Sequence, residues 1–293
     1  MSIHKPVLLH ETIEILNPKS GEFFIDGTLG GGGHANAIVE RIGKSGTLLG
    51  VDWDKEATER FLHENAKRTN VIVQNANYNT IPEILTQEKL GKADGLLLDL
   101  GFSSFQIEDA KRGFSFQADG PLDMRYAKEG ATAADVVNGL REEELADIFW
   151  KFGDERFSRQ IAKRIVEERR KGKILTTGHL RDVVVSAFPA RFRNGKTNPA
   201  TKVFQALRIY VNHEFENIKS LLRKLPECVK SGGRVAVITF HSTEDGIVKN
   251  LFKELVKAGK AGLLTKKPII PTRAEVKENP RSRSAKVRAI QLT

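Results

Sequence analysis

The sequence lacks several features that would point to whole classes of protein. Among its 293 residues it has one cysteine, Cys228, so no internal disulfide can form and a disulfide-stapled secreted fold is excluded. No Cys/His cluster has the spacing of a zinc site, and we expect no metal. The longest apolar runs are far shorter than the ~20 residues of a membrane helix, and no signal peptide opens the chain. We therefore expect a cytoplasmic protein with no membrane partner.

Acidic residues become scarce along the chain. Residues 1–110 have 10 Lys/Arg and 16 Asp/Glu, whereas residues 111–215 have 20 and 14, and residues 216–293 have 17 and 7. A basic segment beside an acidic one suits a polyphosphate partner, because each phosphate that is neutralised releases counterions. Ordinary solvated lysines would give the same totals, so the charge alone leaves the partner open.

Short apolar runs alternate with helical patterns through the first hundred residues, which is typical of a parallel sheet covered by helices. These runs predict strands over 22–25, 46–51, 70–74 and 94–98. The next convincing strand, 234–240, follows only after a gap much longer than the dozen or so residues of a crossover. We therefore predict an α/β fold in which a sheet domain, 1–108 and 216–293, is interrupted by a mainly helical domain at 109–215.

Three further patterns occur in the second half of the chain. From Val203 to Leu225, apolar residues recur at intervals of three and four, which predicts one long helix. Residues 286–292 predict a closing strand. The basic stretch Arg281, Arg283, Lys286 and Arg288 has little opposing charge, so we expect it to contact a phosphate backbone rather than bases.

Five glycines lie within the seven residues from Gly27 to Gly33, between the first predicted strand and a helix that begins near Ala35. Glycine lets the backbone approach a ligand closely. Such a turn serves either a dinucleotide, with its pyrophosphate at the helix N-terminus, or S-adenosylmethionine, which has no phosphate. Asp26, directly before the glycines, favours the second, because a carboxylate repels pyrophosphate but tolerates an ammonium group.

Two more acidic residues end predicted strands at the same edge of the sheet. Asp52 ends the second strand and is placed to accept both ribose hydroxyls, a feature shared with NAD sites. Asp99 ends the fourth strand and is followed by small polar residues up to Ser104, at the edge where open α/β folds bind ligands. These residues favour an S-adenosylmethionine-dependent methyltransferase. An NAD-dependent oxidoreductase with the same loop is the first alternative, and a non-catalytic RNA-binding protein of this fold is the second.

The chain resembles the bacterial 16S ribosomal RNA (cytosine-N4)-methyltransferase family over nearly its full length. The matching blocks are 4–9, 26–34, 99–106, 112–116, 120–125, 204–206, 208–209, 211–212, 240–242, 244–245, 278–281 and 283–284. The resemblance implies a Rossmann-like class I methyltransferase sheet with an inserted domain for recognition of cytidine and RNA. It also implies that S-adenosylmethionine methylates the exocyclic N4 of a cytidine in the decoding region of the small ribosomal subunit.

The resemblance also assigns the cofactor contacts. They fall on Gly32, Gly33, His34, Asp52, Tyr78, Asp99 and Gln106. Tyr78 stands where phenylalanine is usual in the family, and Phe105 stands where proline is common. His34 lies at a helix start, where a cation is disfavoured, so we expect a neutral imidazole in the cofactor pocket.

Methyl transfer from a sulfonium is an in-line displacement, and the cytosine amine needs an acceptor for one N–H. Asp99 is the candidate for this catalytic role by position. The target base must leave its stack, which calls for aromatic and cationic side chains around a pocket. The substrate-side candidates are Arg112, Phe114, Asp123, Arg125, His241 and Ser242. The expected partner is 16S rRNA in the small ribosomal subunit; the sequence leaves the oligomeric state open, with a homodimer as one option.

Overall fold

The structure, a computed structural model, describes residues 5–101, 104–193 and 198–293. The strands in these ranges are β1 (Phe23–Asp26), β2 (Thr47–Asp52), β3 (Val71–Asn75), β4 (Ala93–Asp99), β5 (Val229–Thr239), β6 (Ala261–Leu263) and β7 (Lys286–Leu292). The helices there are α1 (Leu9–Leu16), α2 (Gly33–Ile42), α3 (Lys55–Glu64), α4 (Ile81–Gln87), α5 (Ser104–Glu108), α6 (Ala133–Gly139), α7 (Glu142–Gly153), α8 (Ser158–Arg169), α9 (Thr177–Ala187), α10 (Ala190–Arg193), α11 (Ala200–Val211), α12 (Glu214–Arg223), α13 (Leu225–Cys228), α14 (Ser242–Lys257) and α15 (Arg273–Glu278).

These strands form one sheet in the order β3-β2-β1-β4-β5-β7-β6. The first five strands are parallel, whereas β7 runs antiparallel to both of its neighbours, β5 and β6. A dinucleotide-binding sheet has the order 3-2-1-4-5-6, without an antiparallel strand between its last two. The topology therefore differs from that of an NAD-dependent oxidoreductase. The strand order reverses between β1 and β4, the position at which open α/β sheets bind their ligands.

The central strands form because their side chains are buried on both faces of the sheet. Leu96, Leu97 and Leu98 of β4 are inaccessible to solvent, as are Phe24 and Ile25 of β1. Parallel strands that are covered by helices on both faces have such continuous apolar runs. The four strands predicted in the first hundred residues are confirmed, each within one residue at either end, and the closing strand is confirmed over 286–292. β5 begins five residues before its predicted start at 234.

The chain divides into two compact units, one formed by residues 1–102 and 215–293 and the other by residues 103–214. The predicted divisions lie at 108/109 and 215/216, so the first differs by six residues. The first unit contains the sheet. The second is helical and has a core of its own, in which the fully buried Phe149 packs with apolar residues of α6, α8, α9 and α11. In the described parts of the chain, no helix is long and apolar enough to span a membrane, and no three His, Cys, Asp or Glu side chains are grouped to hold a metal.

The prediction of one long helix from Val203 to Leu225 is wrong. The chain forms α11, α12 and α13 instead, and His213, with φ +50°, interrupts the first two. The buried Arg208 guanidinium donates two hydrogen bonds to Glu214, at 2.8 and 2.9 Å, and the Tyr126 hydroxyl donates a third at 3.1 Å. Residues six apart in a continuous helix do not face each other, so this ion pair requires the break.

Candidate active site

The glycine loop lies against the carboxyl ends of the central strands. The backbone N–H of Gly27 donates to the Leu97 carbonyl of β4 at 2.9 Å, and that of Leu29 donates to the Val51 carbonyl of β2 at 3.1 Å. From α3, the Arg60 guanidinium donates to the Gly30 carbonyl at 2.8 Å. These bonds hold the loop over the point where the strand order reverses.

Two of the predicted cofactor glycines cannot carry a side chain without a local shift. Gly32 has φ +76°, and a Cβ atom there would lie 2.7 Å from the Phe61 ring. A Cβ atom on Gly33, the first residue of α2, would lie 2.8 Å from Pro6. Because atoms this close overlap, glycine at these positions allows α2 to start directly beside the loop.

Asp26 is almost completely buried at the end of β1. Its Oδ1 accepts hydrogen bonds from the Thr28 N–H at 3.0 Å and from the Thr28 hydroxyl at 3.4 Å. No group in the described residues donates to its Oδ2, which is also buried. Burial raises the pKa of Asp26 to about 7, so this carboxyl group is a mixture of acid and carboxylate at neutral pH.

Asp99, at the end of β4, is linked to Asp26 by hydrogen bonds of the Thr28 hydroxyl. The Asp99 N–H donates to the Thr28 hydroxyl at 2.6 Å, so one threonine contacts both acidic residues. Its Oδ1 is buried and receives no hydrogen bond from any group that the structure describes. Burial, followed by the charges of Asp26 and Glu244, raises the pKa of Asp99 well above its ordinary value.

Asp52 ends β2 and faces the same loop. Its Oδ2 accepts the Gly30 N–H and its Oδ1 accepts the Asp54 N–H, both at 2.8 Å. A carboxylate oxygen has two acceptor sites, so each oxygen keeps one for a ligand such as a vicinal diol. Burial raises the pKa of Asp52 to about 6, although the two hydrogen bonds and the charge of Arg60 oppose this shift.

His34 is buried at the start of α2 and contacts both a backbone carbonyl and Asp99. Its Nε2 lies 3.1 Å from the Val7 carbonyl oxygen, and because a carbonyl only accepts, Nε2 carries the proton. Its Nδ1 lies 3.6 Å from Asp99 Oδ2. The structure therefore places His34 beside Asp99, and its contact with a cofactor stays a prediction.

Tyr78 and Gln106 complete the predicted cofactor contacts. Tyr78 starts a short 3₁₀ turn, and its Cβ lies 3.3 Å from where a Cβ on Gly27 would be, so it adjoins the loop. Gln106, on α5, is buried in the other unit, and its contact with a cofactor stays a prediction. Phe102 and Ser103 of the predicted polar run, and His4, lie outside the described residues.

Sequence reasoning missed Glu244, which brings a further carboxylate to the carboxyl end of β5. Glu244 is buried at the start of α14, where its Oε2 accepts the Phe240 N–H at 3.0 Å and its Oε1 lies 2.8 Å from His241 Nε2. His241 caps this helix and Ser242 is exposed at its first position. The signal was available, since a capping residue followed three positions later by glutamate is the pattern of a capping box.

The substrate-side candidates of the inserted unit lie together around one loop. Arg125 forms a two-pronged ion pair with Asp123, at 2.7 and 2.9 Å, which holds the pKa of Asp123 below its ordinary value despite partial burial. Arg112 donates to the carbonyls of Arg125 and Tyr126 and lies 5.6 Å from the centre of the Phe114 ring. These contacts brace the loop, and contact of the four side chains with a substrate stays a prediction.

The expectation for the C-terminal basic stretch is wrong for two of its four residues. Asp245 accepts hydrogen bonds from Arg288 at 2.6 and 3.1 Å and from Lys286 at 3.3 Å. Both cations pair with Asp245 within the sheet unit, because β7 lies beside β5 and places them next to the first turn of α14. Arg281 and Arg283 remain exposed.

Together, Asp26, Asp99, Asp52 and Glu244 make the sheet edge rich in carboxyl groups, two of which have a buried oxygen that no described residue satisfies. Such oxygens need a donor or a cation, because an unpaired buried acceptor costs about 1–3 kcal/mol. The arrangement fits a ligand with a positive charge and a diol, and it repels a pyrophosphate.

Comparisons with known proteins agree with this chemistry. The profile of the MraW methylase family matches residues 1–293. A ribosomal RNA small subunit methyltransferase H from Syntrophotalea carbinolica is 44% identical over 98% of this chain and 97% of its own. A protein of the same name from Elusimicrobium minutum is 46% identical over 98% of each chain. Among solved structures, an rRNA methylase from Streptococcus thermophilus aligns over 100% of this chain and 99% of its own, with a TM-score of 0.45 and 8% identity.

Proposed function

The chain belongs to the MraW methylase family, and from this premise we propose that it transfers the methyl group of S-adenosylmethionine to the exocyclic N4 of a cytidine in the decoding region of 16S ribosomal RNA. Relatives that are 44% and 46% identical are named small subunit rRNA methyltransferases, which supports the substrate. The cytosine N4 target follows from the sequence resemblance.

One observation carries the choice of cofactor. Asp26 and Asp99 are drawn together by Thr28 at the reversal of strand order, and each has a buried oxygen that no described residue satisfies. S-adenosylmethionine has two cationic groups, an ammonium and a sulfonium, and both are stabilised near carboxylates. The pyrophosphate of a dinucleotide would be repelled there, so the oxidoreductase alternative is not favoured.

Each residue of the site has a distinct part in this proposal. Asp52 accepts the ribose hydroxyls through the acceptor sites that Gly30 and Asp54 leave open. Asp26 attracts the ammonium group, and the glycine loop lets the backbone lie close to the methionine moiety. When bound, the cofactor supplies an electrophilic methyl group on its sulfonium.

Asp99 is the group we assign to the target amine. Its free Oδ1 accepts one N–H of the cytosine N4, which orients the nitrogen lone pair and lets the nitrogen pyramidalise. Bound S-adenosylmethionine would supply the methyl group and keep the electron pair of the broken S–C bond, and Asp99 or water would take the surplus proton of the amine. Burial, followed by the charges of Asp26 and Glu244, raises the pKa of Asp99, which suits a group that receives a proton.

The proposal extends to the form of the substrate, the oligomeric state, the localisation and the role of the inserted unit. The assembled small ribosomal subunit is the proposed form of the substrate, and a homodimer is the proposed oligomer, which analytical ultracentrifugation tests. Cytoplasmic localisation rests on the ribosomal substrate. Residues 103–214 form the proposed recognition domain, with Arg112, Phe114, Asp123 and Arg125 on its side of the substrate.

The proposal is tested by single-turnover transfer of a labelled methyl group to small subunits from cells that lack this protein. We expect N4-methylcytidine by nucleoside mass spectrometry, and calorimetric binding of S-adenosylmethionine but not of NAD(H). A matched pair of variants locates the chemistry: Asp99→Asn loses transfer, whereas Asp94→Asn, at the amino end of the same strand, retains it. Absence of label in all RNA, or label in another nucleoside, overturns the proposal.

A further inference from the structure

The inserted unit contains a strongly basic stretch that the proposed chemistry does not use. Residues 155–193 contain eleven lysines and arginines against four acidic residues. Glu155 is buried and accepts the Phe157 N–H, and the other three acidic side chains pair with neighbouring arginines or lysines. Most of the positive charge of this stretch therefore has no internal counter-charge.

Two of these cations lie on one face of α8, and two more lie beside its ends. Arg159 and Lys163 are exposed and four residues apart on the helix, opposite the buried Ile161. Arg156, two residues before the helix, and Arg170, directly after it, are exposed as well. None of the four forms an ion pair with a carboxylate in the described parts of the chain. A phosphate backbone that ran along the first half of α8 would meet Arg159 and Lys163, whereas Glu167, paired with Arg164, lies one turn beyond Lys163.

The short helix α10 adds an aromatic ring beside the first turn of α8. Phe192 is 43% exposed and packs on Phe157, the residue before α8, with ring centres 5.5 Å apart. The Arg191 guanidinium lies 4.8 Å from the centre of the Phe192 ring and has no carboxylate partner in the described residues. The ring and the guanidinium together offer a surface on which an unstacked base can lie.

We propose that Arg156, Arg159, Lys163, Arg191 and Phe192 form a surface, called here the α8–α10 surface, that binds a single-stranded segment of the ribosomal RNA substrate. The cations contact phosphates, and a base stacks on Phe192. An acidic protein would also complement the charge, but an exposed ring paired with arginine is the arrangement that suits a nucleic acid base. This inference rests on the proposed function, because that function supplies the RNA.

The test measures binding of a naked 16S rRNA fragment that contains the decoding region, from 50 to 200 mM salt. For Arg159→Ala/Lys163→Ala we expect the slope of log affinity against log salt to fall by about 1.4, because each lost phosphate contact removes about 0.7 for a single strand. For Phe192→Ala we expect binding about 5- to 150-fold weaker with the slope unchanged, because stacking is not ionic.

The matched control is Lys249→Ala/Lys253→Ala on α14. These two lysines are also exposed, four residues apart on a helix, and without an ion pair in the described chain, so the charge change is the same. We expect the wild-type salt slope for this variant. Calorimetric binding of S-adenosylmethionine, unchanged in all three variants, shows that the sheet unit is intact, and thermal unfolding checks the inserted unit.

The outcomes separate this inference from the proposed function. Wild-type protein that methylates no RNA overturns the function, whereas methylation with an unchanged salt slope in Arg159→Ala/Lys163→Ala overturns only the α8–α10 surface. Equal losses in the surface variant and in the α14 control also overturn it. A loss of affinity in the surface variant that is confined to assembled subunits overturns the RNA contact in favour of a ribosomal protein, and wild-type protein that binds no naked rRNA also overturns it.

Discussion

Cofactor binding should depend on pH through Asp26. This carboxyl group has a pKa of about 7 in the free protein, and the ammonium group of S-adenosylmethionine needs its ionised form. About 9% of the group is ionised at pH 6.0 and about 76% at pH 7.5, so affinity should rise about eightfold over this range from Asp26 alone. Binding should release protons, and the α-amino group of the cofactor stays largely protonated because its pKa is about 8.

Isothermal titration calorimetry at pH 6.0, 6.5, 7.0 and 7.5, in buffers with different ionisation enthalpies, measures both the affinity and the proton release. Asp26→Asn is the matched control, because an amide does not titrate and keeps an acceptor for the Thr28 N–H. This variant should bind the cofactor more weakly than wild type, and its affinity should lack the eightfold rise between pH 6.0 and pH 7.5. A wild-type affinity that is constant across this range, with no proton released, refutes the reasoning.

Asp26 should also make the stability of the protein depend on pH. Stability should fall as pH rises, whereas cofactor affinity should increase. A carboxyl group whose pKa is raised by folding stabilises the protein below its unfolded pKa, and this contribution is lost as pH rises through about 7. The difference between pH 5 and pH 8 amounts to about 3 kcal/mol, because pH 5 lies about two units below the folded pKa. Asp26→Asn should therefore be more stable than wild type at pH 8 and not at pH 5, as urea unfolding without cofactor would measure. An equal difference at both pH values contradicts a titrating Asp26.

Three other substitutions test the site and the fold. Asp52→Asn should weaken cofactor binding about 10- to 100-fold in calorimetry, the effect of losing a hydrogen bond to a charged group; unchanged affinity would remove Asp52 from the ribose site. Arg208→Met should lower the free energy of unfolding by about 3–5 kcal/mol because Glu214 stays buried without its partner. The double variant with Glu214→Leu should regain most of the lost free energy of unfolding. If it does not, the unpaired Glu214 is not the cause of the loss. Gly32→Ala should cost about 1–3 kcal/mol in thermal unfolding because of its positive φ and the nearby Phe61 ring; a neutral result would mean that the loop adapts.

The central sheet could be predicted because burial on both faces makes each parallel strand a short apolar run. β6 could not, since it has three residues and Leu263 is 44% exposed. β5 starts early because the residues at 230–233 are polar or glycine and carry no strand pattern. The break before α12 was missed for another reason: the apolar spacing continues across it, and only the contact between Arg208 and Glu214 requires the chain to turn.

The candidate site was predictable where a residue's role depends on its place at a strand end. Asp26, Asp52 and Asp99 could be placed in this way, because the carboxyl ends of parallel strands share one edge. What sequence reasoning could not supply was the bridging by Thr28, the burial that raises the pKa values, and the carboxylate of Glu244. It also counted Lys286 and Arg288 as available cations, because their partner, Asp245, lies about forty residues earlier in the chain.

The insertion between β4 and β5 imposes an order of assembly on the nascent chain. Every strand up to Asp99 is made before the inserted unit, and β5 begins only at Val229. At a synthesis rate of about 5–20 residues per second, the edge of β4 that later pairs with β5 stays unpaired for roughly 6–26 seconds. An uncovered edge strand is prone to pair with other chains. The inserted unit, with a core of its own, can fold during this time, and only residues 229–293 then close the sheet and bring Glu244 to the other carboxyl groups.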